Sequence, residues 1–445
     1  MGSDRFFGDA RNNVFYGGPG NDRCFGGDGS DTFYGDNDDD TFFGGNGYDT
    51  AFGYLGNDTL HGEAGADRLD GGPGDDKLWG EGGADTLYGG EGDDCLWAGA
   101  GPDLDRLYGE NGFDTLVTLG GGADYAYGGD LDDRFWVDEA GVDVTDAGWW
   151  ETDRGMVHRV SRFNNPVSFN ASSEGVGSKE LAGQNITNPR NTEDANGFHN
   201  YSNLPLFPAG GTSMDDVIQG KLGDCWIMAA ISAMAKANGA APIPPTDIIR
   251  NRMADMGDGT YAVKLGGSYY RVDADLPTRD GNPIYAGLGR SSSPSLWVPI
   301  LEKAMVHHFA DDYDDPVYYP EIEGGYAEDA FRALGMSDVT IDSGIDDGNE
   351  LFNYLQDLLS SGHAVTLMTQ PAIQGVSDKL VDLHVYTVDS VFVDADGHKR
   401  VRLRNPWGYD NNTGGYIDGP NDGYLTISAP TAYSSYWDIV SARVF

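Results

Sequence analysis

Cysteine, basic side chains and long apolar runs are all scarce in this chain. Its three cysteines, Cys24, Cys95 and Cys225, are odd in number and irregularly spaced across 445 residues. That excludes a disulfide framework and a zinc ribbon. Only 28 Lys and Arg stand against 72 Asp and Glu, a formal net charge of -44. Such a surface has the wrong sign for nucleic acid or an anionic membrane as main partner. It also repels itself, so a compact fold calls for cations. No apolar run reaches about 18 residues, the length a membrane-spanning helix needs, so no transmembrane segment is expected. The opening MGSDRFFGDA lacks the basic start and apolar core of a secretory signal. Glycine, by contrast, is abundant at 66 residues. The length predicts about two or three domains.

The glycine is concentrated in a nine-residue repeat. GDARNNVFY, GGPGNDRCF, GGDGSDTFY, GDNDDDTFF, GGNGYDTAF, GYLGNDTLH, GEAGADRLD, GGPGDDKLW, GEGGADTLY and GGEGDDCLW follow one another from Gly8 without a slip. Two short insertions follow, and the series ends with GGDLDDRFW at Trp136. Positions one to six read as a turn, where Gly permits positive φ and lets carbonyls converge. Positions seven to nine read as a short strand. Position eight points inward, as at Phe15, Cys24, Phe33, Phe42, Leu60, Leu69, Leu78, Leu87 and Leu96. Cys24 and Cys95 are therefore structural. Position six supplies a carboxylate: Asp22, Asp31, Asp40, Asp49, Asp58, Asp67, Asp76, Asp85, Asp94 and Asp114. This pattern resembles the calcium-binding parallel β-roll of RTX proteins. Calcium takes six to eight oxygens, which two stacked turns can supply and one cannot. Residues 1–150 carry 7 basic and 33 acidic side chains. Without Ca2+, that repulsion and the glycine entropy should leave the segment unfolded.

After Trp136 the repeat dissolves. Residues 137–203 are expected to cap the open end of the roll and then run on as an irregular linker. From Leu204 the composition becomes that of an ordinary globular domain. CWIMAAISAMAKANG, starting at Cys225, is apolar all round and predicts a buried helix, closed by Asn238-Gly239. A thiol at a helix N-terminus faces unpaired N–H groups, which favour thiolate. On helix position alone, an inert buried cysteine fits equally well.

The surroundings favour function. QGKLGDCWIMAA resembles the active-site segment of calpain-family, papain-like cysteine proteases. YRVDADLPTRDGNPIYAG, LWVPILEKAMVHHF with its later Gly-Gly loop, DLHVYTV and RNPWG resemble that family's further motifs, in the same order. The resemblance covers most of Leu204–Phe445. It implies a two-lobed α+β protease, with lobes over 204–340 and 341–445. It implies Cys225 as nucleophile, His384 as base, Asn405 as the residue orienting the imidazole and Gln219 as an oxyanion donor. Such roles suit the residue types: a thiolate needs a base, the base needs a fixed ring, and an oxyanion needs donors. Trp407 would shield the His–Asn bond from water. A tight hairpin at Asp396-Gly397 would set Asn405 opposite residue 388, so Asn405 must leave the ladder to reach His384. His307 and His308 read as an exposed pair.

The resemblance also implies two calcium sites in the protease. One would use the carbonyls of Ala209 and Gly211 and the carboxylate of Asp216, but the family's partner acid falls at Ser295. The other would use Asp418 and Asp422, with Asn411 and Tyr424 in place of two acids. The combined reading is a multidomain chain, residues 1–136 an RTX β-roll fused to a calcium-dependent cysteine endopeptidase. It is expected to act on protein substrates as a monomer. It is expected to be secreted by a type I-like route without an N-terminal signal. Two alternatives stand beside it: a non-catalytic calcium-dependent adhesion or matrix module, and a transglutaminase-like acyltransferase. The second would normally carry Asp where Asn405 stands.

Overall fold

The structure is a computed structural model. It describes residues 2–99, 101–139, 143–148, 151–152, 154–161, 163, 195–208, 211–237, 247–288, 294–310, 319–371, 380–409 and 422–444. Most of the expected linker, the Asn238-Gly239 cap, Ala209, Asn411 and Asp418 lie outside these residues. The described chain divides into two compact units, one built on residues up to Phe163 and one on most of the chain from Ala195.

The first unit is the expected parallel β-roll. Successive short strands alternate between two parallel sheets, one of nine strands and one of eight among the described residues. Each strand therefore pairs with the next but one. Phe6 pairs with Cys24 and Cys24 with Phe42, in register, because the repeat does not slip. In the other sheet Phe15 pairs with Phe33 and Phe33 with Ala51. Position eight faces inward throughout, and Cys24, Phe33, Phe42, Ala51, Leu60 and Leu69 head a fully buried column. Each unit thus contributes one apolar side chain to a continuous core, which no single repeat could bury alone.

The turns need glycine for steric reasons. A Cβ at Gly65 would lie 1.4 Å from the Gly47 carbonyl oxygen, and its φ is +153. Stacked turns approach too closely there for any side chain. The pairing runs on past Trp136: Val157–Val160 pairs with Arg134–Asp138 in register Phe135↔Val157. The capping segment therefore adds sheet to the roll as well as covering its core.

The second unit holds the globular remainder. Its helix α1, Cys225–Ala237, is buried from Trp226 to Ala235. Helix α2, Trp297–Phe309, is buried from Trp297 to His307. Both belong to one large core with Val263, Val272 and Phe331. Strand Gly197–Asn200 pairs antiparallel with Asp275–Arg279, so this unit takes up the chain before the expected boundary at Leu204.

A second core lies around a six-stranded sheet. Its strand order is Val339–Asp342, Tyr436–Arg443, His363–Thr369, Val385–Val393, Lys399–Arg404 and Tyr424–Ser428, with antiparallel pairings. Helices Gly348–Ser360 and Ala429–Ser435 contribute Leu351, Leu355 and Ala432 to that core. The α+β expectation for this half of the chain holds.

His307 departs from the sequence reading. It is only 5% exposed, and burial holds its imidazole down at about 3. Helix α2 is enclosed nearly to its end, so the pair is not an exposed one.

The inward column carries a stability prediction. Leu60→Ala removes a fully buried side chain from a stack that cannot collapse without breaking its register. It should destabilise the calcium-loaded roll by about 2–5 kcal/mol, read as a lower midpoint of the roll's own calorimetric transition. A shift no larger than that of a surface substitution would contradict the packing described.

Candidate active site and metal ladder

In the roll, the position-six aspartates form two rows that run the length of the solenoid. The N–H of Asp22 donates to Asp40 Oδ1 at 2.7 Å and that of Asp40 to Asp58 Oδ1 at 2.7 Å. Asp31, Asp49 and Asp67 repeat this in the other row. The step is 18 residues because alternate turns stack. It widens to 20 where two residues are inserted, from Asp85 to Asp105, and to 19 from Asp105 to Asp124. Asp105, Asp124 and Asp133 therefore continue the ladder, although counting nines forward from Gly8 passes over them. Taking the residue immediately before each strand triplet would have found them.

One oxygen of each aspartate is thus satisfied and the other is not. Oδ2 of Asp22, Asp31, Asp40, Asp49, Asp58, Asp67, Asp76, Asp85, Asp94, Asp114, Asp124 and Asp133 is buried without a hydrogen-bond partner. Burial, ahead of the neighbouring carboxylates, pushes Asp67 up to about 8 and Asp94 to about 9. A buried anionic oxygen with no donor is costly, and these are all hard oxygens. The donor set fits Ca2+, whose charge would pair with the orphaned oxygens of neighbouring turns.

In the second unit, the segment 218–225 is fixed from three sides. Gln219 N–H donates to Pro406 O at 2.7 Å, Lys221 N–H to Ile284 O at 2.8 Å, and Gly324 N–H to Gly223 O at 2.9 Å. A Cβ at Gly220 would lie 1.9 Å from Tyr285 O, so only glycine allows this approach. Trp226 donates from Nε1 to Ile322 O at 3.0 Å and packs on Gly325, where a Cβ would come within 2.5 Å of the indole. The Gly-Gly loop thus positions the start of α1.

The two halves of this unit meet at Cys225. The thiol receives a backbone hydrogen bond from Val385, the residue after His384. Thr387 Oγ1 donates to Ala229 O of α1 at 2.9 Å. His384 Nε2 lies 3.0 Å from Asn405 Oδ1. Trp407 packs over the imidazole at 4.6 Å between ring centroids, and its N–H donates to Asn405 Oδ1 at 3.1 Å. The Asn405 amide nitrogen donates to Tyr409 O at 3.1 Å, which fixes the asparagine's orientation. His384 and Asn405 are 4% and 0% exposed. Gln219 Nε2 donates to Leu222 O at 2.5 Å. The His384–Asn405 pair thus lies on strands that pack against α1, the helix that starts at Cys225.

Two expectations are corrected here. The hairpin before Asn405 is wider than two residues, with Val393 opposite Lys399, and a bulge falls between Val388 and Ser390. Val388 faces Leu403, so Asn405 lies two residues nearer His384 than a tight turn would place it. Second, burial outweighs the helix N-terminus at the thiol: Cys225 is pushed up to about 11, and burial holds His384 down at about 4. The resting pair is thiol and neutral imidazole.

The protease-core metal residues are less well provided. Asp216 accepts from Ser213 N–H at 3.2 Å and from Trp297 Nε1 at 3.4 Å on Oδ2. Ser295, its neighbour by the resemblance, is buried and brings no charge. Asp422 accepts from the Tyr424 N–H at 3.1 Å, and the Tyr424 hydroxyl donates to Asp215 Oδ1 at 2.7 Å. Among the described residues each core site holds one of the expected carboxylates. A further cluster, Asp394, Asp396 and His398, is mostly exposed and tied by the hairpin's own hydrogen bonds.

Comparison with known proteins agrees with this geometry. The sequence profile described as calpain family cysteine protease matches residues 167–423. The chain belongs to the calpain family. The RTX calcium-binding nonapeptide repeat profile matches residues 1–33, 34–69 and 70–104. The calpain-2 catalytic subunit of Mus musculus is 29% identical over 235 residues, covering 48% of this chain and 31% of that protein. The calpain-2 catalytic subunit of Bos taurus is 29% identical over 287 residues, covering 58% and 37%. The calpain-type cysteine protease DEK1 of Zea mays is 26% identical over 219 residues, covering 46% and 9%. The chain thus spans about a third of the calpain-2 subunits it matches, and less of the plant protein. It joins a calpain-type cysteine protease domain to RTX repeats, and both imply Ca2+.

The raised carboxyls fix the sign of the roll's pH dependence. A carboxyl whose folded value lies above its unfolded one favours folding while protonated, and that contribution is lost as pH rises through the folded value. The metal-free roll should therefore hold its β structure best in acid and lose it through about 6 to about 9, the range set by Asp49, Asp67 and Asp94. Calcium should restore the β signal at neutral pH and release protons as it binds. Circular dichroism in chelator across pH, with proton release on calcium addition, checks both. A metal-free roll that stays folded at alkaline pH would contradict the ladder's electrostatics.

Proposed function

We propose that this protein is a secreted, calcium-dependent cysteine endopeptidase whose Cys225, His384 and Asn405 form a catalytic triad. The observation that carries the reading is the buried His384–Asn405 hydrogen bond, set beside a helix-start thiol and shielded by Trp407. His384 takes the proton of Cys225, and sulfur attacks the carbonyl of a peptide bond. The Cys225 N–H and the Gln219 amide receive the developing oxyanion. His384 then gives its proton to the departing amine, leaving a thioester at Cys225 that water hydrolyses. Asn405 orients the imidazole without adding a charge beside it. Asp22, Asp31, Asp40, Asp49, Asp58, Asp67, Asp76, Asp85, Asp94 and Asp114 would hold calcium in the roll. Bound there, calcium neutralises the carboxylates that oppose its folding. RTX repeats are typical of secreted proteins, and among the described residues no helix is long and apolar enough to cross a membrane.

Cys225→Ala should abolish cleavage of a denatured protein while leaving the melting profile in place, because one side-chain atom is lost. Cys24→Ser and Cys95→Ser should keep cleavage. Wild-type chain that incorporates amines in place of cleaving peptides would point to the acyltransferase reading. A chain inert to both assays and unlabelled by irreversible cysteine-protease inhibitors would be the adhesion module.

Gln219→Ala should lower kcat by roughly 10²–10³ with KM nearly unchanged, the size of one lost oxyanion donor. Steady-state kinetics on a peptide substrate decides it; an effect confined to KM would make Gln219 a substrate-binding residue only.

A further inference from the structure

Beneath the nucleophile lies a pair of carboxyl groups that the steps above do not use. Asp224, the residue before Cys225, is fully buried, and Glu302 of α2 is 2% exposed. Asp224 is within hydrogen-bond reach of both Glu302 and the Gln219 side chain. Yet both Asp224 carboxyl oxygens and Gln219 Oε1 are buried without receiving a donor. Glu302 accepts the Ala286 N–H, at 3.0 and 3.2 Å on its two oxygens. The hydroxyl of Tyr319, close to Glu302, is itself buried without a partner. Two carboxylates, Glu302 and Asp224, cannot hydrogen-bond to each other without protons.

The surroundings supply them. Burial is the chief cause that raises both carboxyls; Asp224 raises Glu302 further, while the bond from Glu302 lowers Asp224. Two carboxylates cannot both ionise in such a place. Protonated Glu302 then donates to the Asp224 carboxylate, which faces the Gln219 amide. A carboxylate there favours the N–H end of that amide over its oxygen, and the Gln219 nitrogen also donates to Leu222 O. A buried amide without such a bond could flip, since its two ends differ little in shape.

We propose that Asp224 and Glu302 form a proton-sharing pair that positions Gln219, fixing which end of its amide faces the substrate. Both are positioning residues: neither touches the reacting atoms. The proposal rests on the protease reading above and adds a determinant of its oxyanion hole.

The test uses the full chain in calcium with a peptide substrate. Glu302→Met and Glu302→Gln match in size, but only glutamine keeps a donor. Asp224→Leu and Asp224→Asn make the same comparison at the other member, should Glu302→Met not fold. Glu302→Met should lower kcat by roughly tenfold or more, bounded by the roughly 10²–10³ of losing the donor itself. KM should stay within about twofold, and Glu302→Gln should recover most of the loss. In the Gln219→Ala background Glu302→Met should cost nothing further, because the pair acts only through that amide. Losses that multiply in the double variant, or a KM change as large as the kcat change, would overturn the proposal while leaving the protease reading intact. A wild-type chain that neither cleaves nor takes up a cysteine-protease inhibitor would overturn both.

Discussion

The structure depends throughout on what is done with buried carboxylate oxygens. In the roll the arrangement is a ladder. One oxygen of each aspartate caps the backbone two turns back, and that bond fixes the stacking distance. The other is left buried without a proton donor. Geometry and charge therefore work against each other. The same residue that sets the register of the solenoid makes it untenable at neutral pH without a cation. Glycine adds to the dependence, since turns this close admit no Cβ and the unfolded chain is correspondingly disordered. A hydrophobic column of one residue per turn is a thin core, so ion binding must supply folding free energy.

In the second unit the same problem is met by protons and N–H donors. Asp224 and Glu302 face each other in a site where both cannot ionise. Buried Asp216 instead accepts from the Ser213 N–H and the Trp297 indole, and the exposed Asp215 beside it accepts from the Tyr424 hydroxyl. Lys303 is buried against the Asp273 carboxylate and carbonyl. None of these solutions requires a metal. Tyr424 stands where the family resemblance calls for an acid, and its hydroxyl joins the strand Tyr424–Ser428 to the segment before Gln219. A neutral donor in place of a ligand makes a contact that chelation cannot remove.

Much of this was legible in the sequence because the signals are redundant. A nine-residue period carries glycine, aspartate and an inward apolar residue at once, so each confirms the register of the others. Cys225, His384, Asn405 and Gln219 stood out by their motifs, and the structure sets His384 Nε2 3.0 Å from Asn405 Oδ1. The ladder beyond Asp94 was partly lost, since insertions shift a count taken from glycine but not one taken from the strand. The distance from His384 to Asn405 was misjudged because a bulge at Asp389 and a wide turn are backbone events with no residue signature in HVYTVDSVFVDADGHKRVRLRN. The burial of His307 was missed because nothing in the helix's own sequence shows which neighbours enclose its last turn.

The thiol shows the same limit in energetic form. A helix N-terminus lowers a cysteine's proton affinity, and sequence position alone points that way. Burial acts in the opposite direction and is set by what packs around the site: Trp226 on Gly325, Thr387 on α1, and Trp407 over His384. Here it outweighs the helix end, and the resting pair is neutral. In the proposed mechanism a neutral resting pair would make the oxyanion donors more important, because charge that appears only during attack must be met by dipoles already in place. Under that mechanism, the orientation of one amide, Gln219, and the carboxyl pair behind it would therefore matter as much as the three side chains that the sequence motifs pointed to.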